Sequence, residues 1–122
     1  MFLHIKRSPM LYLQHKNMDV MHIAPITSSL RINLNFVSEL SIYTIKEEKI
    51  RKSLDGMDIV VPVGTQVIHL EMSYTHSTHV VKRHSENEHT VNERYFYKLI
   101  FFPGADAEFA RIKTIIDRLT AE

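Results

Sequence analysis

The amino-acid sequence predicts a mainly β domain: a roughly six-stranded antiparallel β-barrel, or a strongly curved sheet, with a C-terminal α-helix and a short inserted helix. Three observations lead there. First, Tyr95-Phe96-Tyr97-Lys98-Leu99-Ile100-Phe101-Phe102 is apolar on both alternating faces, as a strand covered on both sides should be, and only Lys98 breaks the pattern. Second, Arg31–Val37 and Thr65–Tyr74 alternate apolar and polar residues with the period of a half-buried strand. Third, beyond Pro103-Gly104, the residues Ala105, Phe109, Ile112, Ile115, Ile116 and Leu119 fall within about 120° of a helical wheel, a stripe wide enough to cover a sheet. Closure is the economical architecture because it removes exposed strand edges.

Taken in order, Met10–His15 and Val20–Ile23 are apolar pieces around the polar Lys16-Asn17, a first hairpin or two loosely paired strands. Arg31–Val37 sets Ile32, Leu34 and Phe36 against Arg31, Asn33 and Asn35, and reads as a strand of the main sheet. Thr44 followed three positions later by Glu47 resembles a capping box, and Ile45, Ile50 and Leu54 fit one side of a short charged helix ending at Asp55-Gly56. Asp58–Val61 resumes an extended pattern, which Pro62 and Gly64 punctuate. Thr65–Tyr74 then sets Ile68, Leu70, Met72 and Tyr74 against Val67, His69, Glu71 and Ser73, a long strand with one exposed side. The polar Thr75–Thr78 reads as a turn into His79–Arg83, and Ser85–Asn92 as a loop before the final strand. Asp106 is placed to N-cap the closing helix. Burying the large side chains of its stripe contributes roughly 7–15 kcal/mol gross, comparable to the net stability of a small domain, so the helix belongs to the fold.

A chain of 122 residues supports one core, and residues 1–122 are expected to form a single domain without an internal linker. Fifteen basic against fourteen acidic side chains give a formal charge of +1, which argues against a general electrostatic grip on nucleic acid. The absence of cysteine removes disulfides, thiolate nucleophiles and the usual zinc frameworks, and it fits a reducing compartment; the expected location is the cytoplasm. Met1–Leu13 is interrupted by His4, Lys6, Arg7 and Pro9, unlike a signal peptide, and no stretch approaches a membrane span, so no membrane insertion is expected.

Eight histidines invite a metal reading, and His76, His79, His84 and His89 lie close in sequence. Their spacing matches no ligand framework, and a polar solvated face accounts for them more simply, so no metal is assigned. The sequence contains no Gly-x-Ser-x-Gly elbow, and three glycines are too few for the usual phosphate-cradling loops, so no enzyme is expected. Tyr95, Phe96 and Tyr97 resemble a base-stacking platform, but a closing strand under a helix uses such rings for core packing.

Three pieces in order resemble a PilZ domain, the bacterial module best known for binding cyclic di-GMP, and together they cover most of the chain. Val37-Ser38-Glu39-Leu40-Ser41-Ile42-Tyr43-Thr44 is similar to the family's D/N-x-S-x-x-G segment, with Glu39, Ser41 and Thr44 at the three positions. Val61–Leu70, containing Gly64, looks like the glycine turn into a long strand, with His79–Arg83 as the returning strand. Tyr95–Leu119 is similar to the closing strand and helix. The resemblance implies a nucleotide site in which an N-terminal Arg-x-x-x-Arg clamps phosphates and stacks on guanine, a task suited to the planar guanidinium fork. Here the nearest match is Arg7-Ser8-Pro9-Met10-Leu11, preceded by Lys6, so the second arginine is replaced by Leu11. Aspartate is lengthened to Glu39, and the glycine is replaced by the β-branched Thr44, which resists positive φ.

The residues this alignment offers for nucleotide binding are Lys6, Arg7, Glu39 and Ser41, converging on a loop after the first clear strand, where Ser41 would hold the loop and Glu39 would pair with Arg7 or accept from a guanine edge. The expected function is a non-enzymatic PilZ-like signalling or adaptor domain, without a cofactor, that acts through a protein partner in motility or surface regulation. The alternative is a cyclic di-GMP receptor with a remodelled nucleotide-binding site.

Overall fold

The computed structural model describes the backbone of residues 2–6, 8–17, 20–27, 29–81 and 88–120, and the side chains of residues 2–6, 10–14, 21–27, 29–73 and 95–118. Among these are nine strands and one α-helix: β1 (Phe2–Ile5), β2 (Ser8–Asn17), β3 (Val20–Ile26), β4 (Leu30–Asn33), β5 (Val37–Thr44), β6 (Lys49–Lys52), β7 (Asp58–Val61), β8 (Gln66–Val81), β9 (Glu88–Phe101) and α1 (Asp106–Thr120). The chain is mainly β, with every ladder antiparallel. The main sheet has five strands in the order β3-β2-β9-β8-β5, and β1–β4 and β6–β7 form two-stranded sheets of their own.

Around the apolar run of β9, the main sheet is covered on both sides. On one face, Leu11, Ile68, Leu70, Met72, Leu99 and Phe101 meet Ile112 and Ile116 of α1 and Leu3, Ile5 and Ile32 of the β1–β4 pair. Phe101 and Phe109 pack edge to face with ring centroids 5.3 Å apart, an arrangement that aromatic quadrupoles favour. A bond from Arg111 Nη2 to the carbonyl of His4 ties the helix to β1, and the same guanidinium pairs with Glu108 one turn earlier. On the other face a smaller cluster, Ile23, Val61, Val67 and Ile100, packs with Tyr12, Ile45, Ile59 and Phe102 beneath the β6–β7 hairpin.

Several expectations are corrected. The segment expected to form the short inserted helix is the β6–β7 hairpin, because the Asp-Gly signal serves a turn instead of a helix end. Gly56 sits at φ +83°, its N–H donates to the Ser53 carbonyl, and the Ser53 hydroxyl accepts from Met57 N–H. Ser53 N–H donates to the Met57 carbonyl, which leaves Leu54-Asp55-Gly56 as a three-residue loop with glycine in the left-handed region, a standard hairpin closure, and long-range pairing of Lys49–Lys52 with Asp58–Val61 outweighs a capping-box preference worth about 1 kcal/mol. The strand expected over Arg31–Val37 stops at Asn33, whose side chain accepts from Asn35 N–H and starts a single 3-10 turn over Leu34–Phe36. What remains, β4, pairs with β1 outside the main sheet. Thr75–Thr78 is no turn: it pairs with Val91–Arg94, after a register shift between Glu71 and Thr75. Residues 88–92, expected as loop, lie in β9, and residues 82–87 fall outside the described set. The carbonyl of Ala105 accepts the first helical bond from Phe109, which puts Ala105 at the cap and Asp106 inside the first turn, where its charge favours the helix dipole.

Candidate functional site

Cross-strand partners point to the same side of a sheet, so the registers fix which residues share the face under the hairpin. One row reads Ser41, His69, Lys98, Gln14 and Ile23 from β5 across to β3. The next row towards the hairpin reads Tyr43, Val67, Ile100 and Tyr12, and on the far side of the first stand Glu39, Glu71 and Phe96. The face therefore runs from two carboxylates, through an imidazole and an ammonium, to an apolar floor.

Over that floor lies the β6–β7 hairpin, in a register that pairs Lys49 with Val61, Ile50 with Val60 and Arg51 with Ile59. Val61 and Ile59 pack inward, so Lys49 and Arg51 face inward with them, and Ile50 and Val60 face out. Between hairpin and sheet is a cleft of about 90 Å³, lined by Lys49 and Arg51 on one side and by Lys98, Gln14 and Tyr43 on the other, over Ile100 and Val67. None of the three cations makes an ion pair with a described residue, and the Arg51 guanidinium reaches only the carbonyl of Ile50, at 3.4 Å. On the outer side of the same strand, Lys52 is paired with Asp58. The arrangement suits the binding of an anionic group against an aliphatic surface.

Of the residues that the resemblance offers, Glu39 and Ser41 share one face of β5. Lys6 is exposed between β1 and β2, and Arg7 lies outside the described residues. Glu39 and Ser41 are exposed on β5, within a strand and not on the expected loop, and the Ser38 hydroxyl beside them donates across to the Glu71 carbonyl of β8 at 3.1 Å. The shift of register between Val37 and Glu39 leaves Ser38 as the extra residue there. No ion pair joins Lys6 to Glu39 among the described residues. Thr44 is extended and paired with Gln66, a conformation that a β-branched residue favours. Leu11, at the position of the second arginine, is 0% exposed and paired with Phe101 on the core face. Lys49 and Arg51 were hidden by the helical reading of their segment; the signal that pointed to this face was Lys98, the one break in the apolar run Tyr95–Phe102.

His69 stacks on Phe96 with ring centroids 5.4 Å apart. Burial holds its pKa below the ordinary 6.5, and the neighbouring Lys98 charge adds to the lowering, against the smaller opposite pull of Glu71 and Glu39. The unfolded chain thus takes up this proton at a higher pH than the folded one. Stability is expected to fall as pH drops below about 6.5 and to be insensitive to this group above it. A two-dimensional NMR titration should place the His69 midpoint below that of a free imidazole, and His69→Gln should reduce the acid slope of the melting temperature. A midpoint at or above 6.5 would mean that the ring is not buried beside Lys98.

Backbone pairing puts His76 opposite Glu93, His79 opposite Thr90 and His89 opposite Val80, so His76 lies along a strand and not at a hairpin tip; His84 lies outside the described residues. Among the described residues no group of three or more His, Cys, Asp or Glu side chains is placed to hold a metal, and no helix is long and apolar enough to cross a membrane. No family model, curated protein or solved structure matches the chain.

Proposed function

We propose that the chain is a non-enzymatic signalling or adaptor domain that acts through a protein partner, with the outer face of the β6–β7 hairpin as the docking surface. The observation that carries this is an exposed apolar patch on one short hairpin: Ile50 (60% exposed) stands directly opposite Val60 (50%), with Leu54 and Met57 (68%) at the tip. Single exposed apolar residues need no explanation, but four on one hairpin that turns two of its cations inward are what a protein interface presents. The resemblance to PilZ domains supplies the setting, a bacterial motility or surface-regulation system, and with it the closed six-stranded barrel. In support of near-closure, Ser53 at the end of β6 bridges to Ile23 on the edge strand β3. The lining of the cleft adds support for a binding role, since its described residues hold no carboxylate or imidazole to move a proton.

The test compares proteins crosslinked in cells to the wild type and to an Ile50→Lys, Val60→Lys variant. Both substitutions are at exposed positions, and each should change stability by only about 0.5 kcal/mol. The expected result is a partner held by the wild type and lost from the variant, with the two melting within a few degrees of each other. A partner retained equally by both would move the docking surface elsewhere. The alternative, a cyclic di-GMP receptor, meets the difficulty that Leu11 is a core residue and leaves the aligned clamp with one arginine. Calorimetric heat saturating at low micromolar cyclic di-GMP would nevertheless replace the adaptor reading with that one.

A further inference from the structure

We infer that the cleft between the β6–β7 hairpin and the main sheet is a binding site for a small phosphate-bearing ligand, held by Lys49, Arg51 and Lys98. This goes beyond the adaptor reading and does not depend on it: the site is on the inner side of the hairpin, and the proposed docking surface is on the outer side.

The site arises from the direction in which β6 points its side chains. A covering hairpin ordinarily turns apolar residues in and charged residues out, and the period of two means that a slip of one residue would exchange the faces. Here Lys49, itself exposed, and the half-buried Arg51 are on the side of β6 that turns to the sheet, while Ile50 is on the side that turns to solvent. On the sheet opposite stands Lys98, half-buried within the otherwise apolar run Tyr95–Phe102. Three cations thus line one small space whose described lining holds no carboxylate: Glu71 and Glu39 are in the next row of the sheet, and Glu47 and Glu48, just before β6, pair with none of the three. Like charges gathered over a low-dielectric floor repel, and a bound anion removes that repulsion.

Charge and size narrow the ligand. Three cations favour a multivalent anion over a single carboxylate, and the guanidinium fork of Arg51 matches phosphate oxygens. Gln14 and Tyr43 line the same cleft, and their side chains carry uncharged donors. The volume of about 90 Å³ is close to that of three waters in the liquid, room for a phosphate group. Ile23, Val61, Val67 and Ile100 offer an aliphatic surface to the organic part of a phosphate ester.

The test uses the full chain, titrated with inorganic pyrophosphate and inorganic phosphate at constant ionic strength and followed by amide NMR shifts, with acetate as the monovalent control. Saturating shifts are expected at Gln14, Tyr43, Lys49, Arg51 and Lys98, with pyrophosphate binding more tightly than phosphate, and acetate giving none. Arg51→Gln and Lys98→Gln should each weaken pyrophosphate by about tenfold or more, whereas Lys52→Gln, on the outer face of the same strand, should leave it unchanged. The wild-type shift map decides the matter even if a variant folds poorly. Acetate acting like pyrophosphate, shifts spread over exposed lysines without saturation, or equal weakening by Lys52→Gln would overturn the site.

Discussion

Ile112→Asp is expected to abolish cooperative folding at 25 °C. The side chain of Ile112 is 0% exposed in the middle of α1, in one buried cluster with Leu3, Ile5, Leu99 and Phe101. Substitution first forfeits the transfer of the isoleucine out of water, about 2 kcal/mol. It then either buries a carboxylate with no partner or forces that group to protonate, which adds several kcal/mol more. The sum reaches the whole stability of an ordinary small domain, about 5–15 kcal/mol. Circular dichroism on heating should show no cooperative transition, while Ala110→Asp, two residues away on the exposed side, should melt near the wild type. A melting temperature for Ile112→Asp within a few degrees of wild type would mean that α1 is not docked on the sheet.

What was legible in the sequence is what the local pattern determines by itself. The two-faced run ending at Phe102 could only be a covered strand, and the stripe through Ile112 and Ile116 could only be a docked helix; both are found. The pairing of β2 with β3 was also readable, because two apolar pieces flank a short polar break. The errors arise where a local signal has two meanings. Asp55-Gly56 ends a helix or turns a hairpin, and the choice was made by Asp58–Val61, which supplied a partner strand. Asn33 and Asn35 fit the outer side of a strand until one side chain accepts from the other residue's backbone and bends the chain.

The candidate cleft was the least readable part, for a related reason. The inward face of β6 depends on its register against Val60 and Val61, and that register is a tertiary fact. Nothing in Lys49-Ile50-Arg51-Lys52 alone says that Lys49 and Arg51 turn inward while Lys52 pairs with Asp58 on the outer side. Lys98 carried a stronger hint, since an ammonium within a two-faced apolar strand demands an open or polar neighbour. Here the neighbours are Gln14 beside it in the sheet and the cleft above.

Leu11→Arg is the second substitution expected to unfold the chain, and it bears directly on the resemblance to PilZ domains. Of the changes that would restore the family pattern, Glu39→Asp and Thr44→Gly fall at exposed positions on β5 and should cost no more than about 1 kcal/mol each. Leu11 is fully buried, paired with Phe101 in the core beneath α1. An arginine there cannot escape by losing its proton, because its pKa lies far above any working pH. It must bury an unpaired charge or pull β2 out of register, and either should cost about 4 kcal/mol or more. Leu11→Met, which nearly conserves volume, should cost less than about 1.5 kcal/mol and serves as the control. If Leu11→Arg folds and melts within a few degrees of wild type, position 11 is accessible, and the paired-arginine clamp becomes available to a cyclic di-GMP titration. If it unfolds while the control stands, no second arginine of a clamp can occupy this position, and any cyclic dinucleotide site in this chain must draw its second cation from elsewhere.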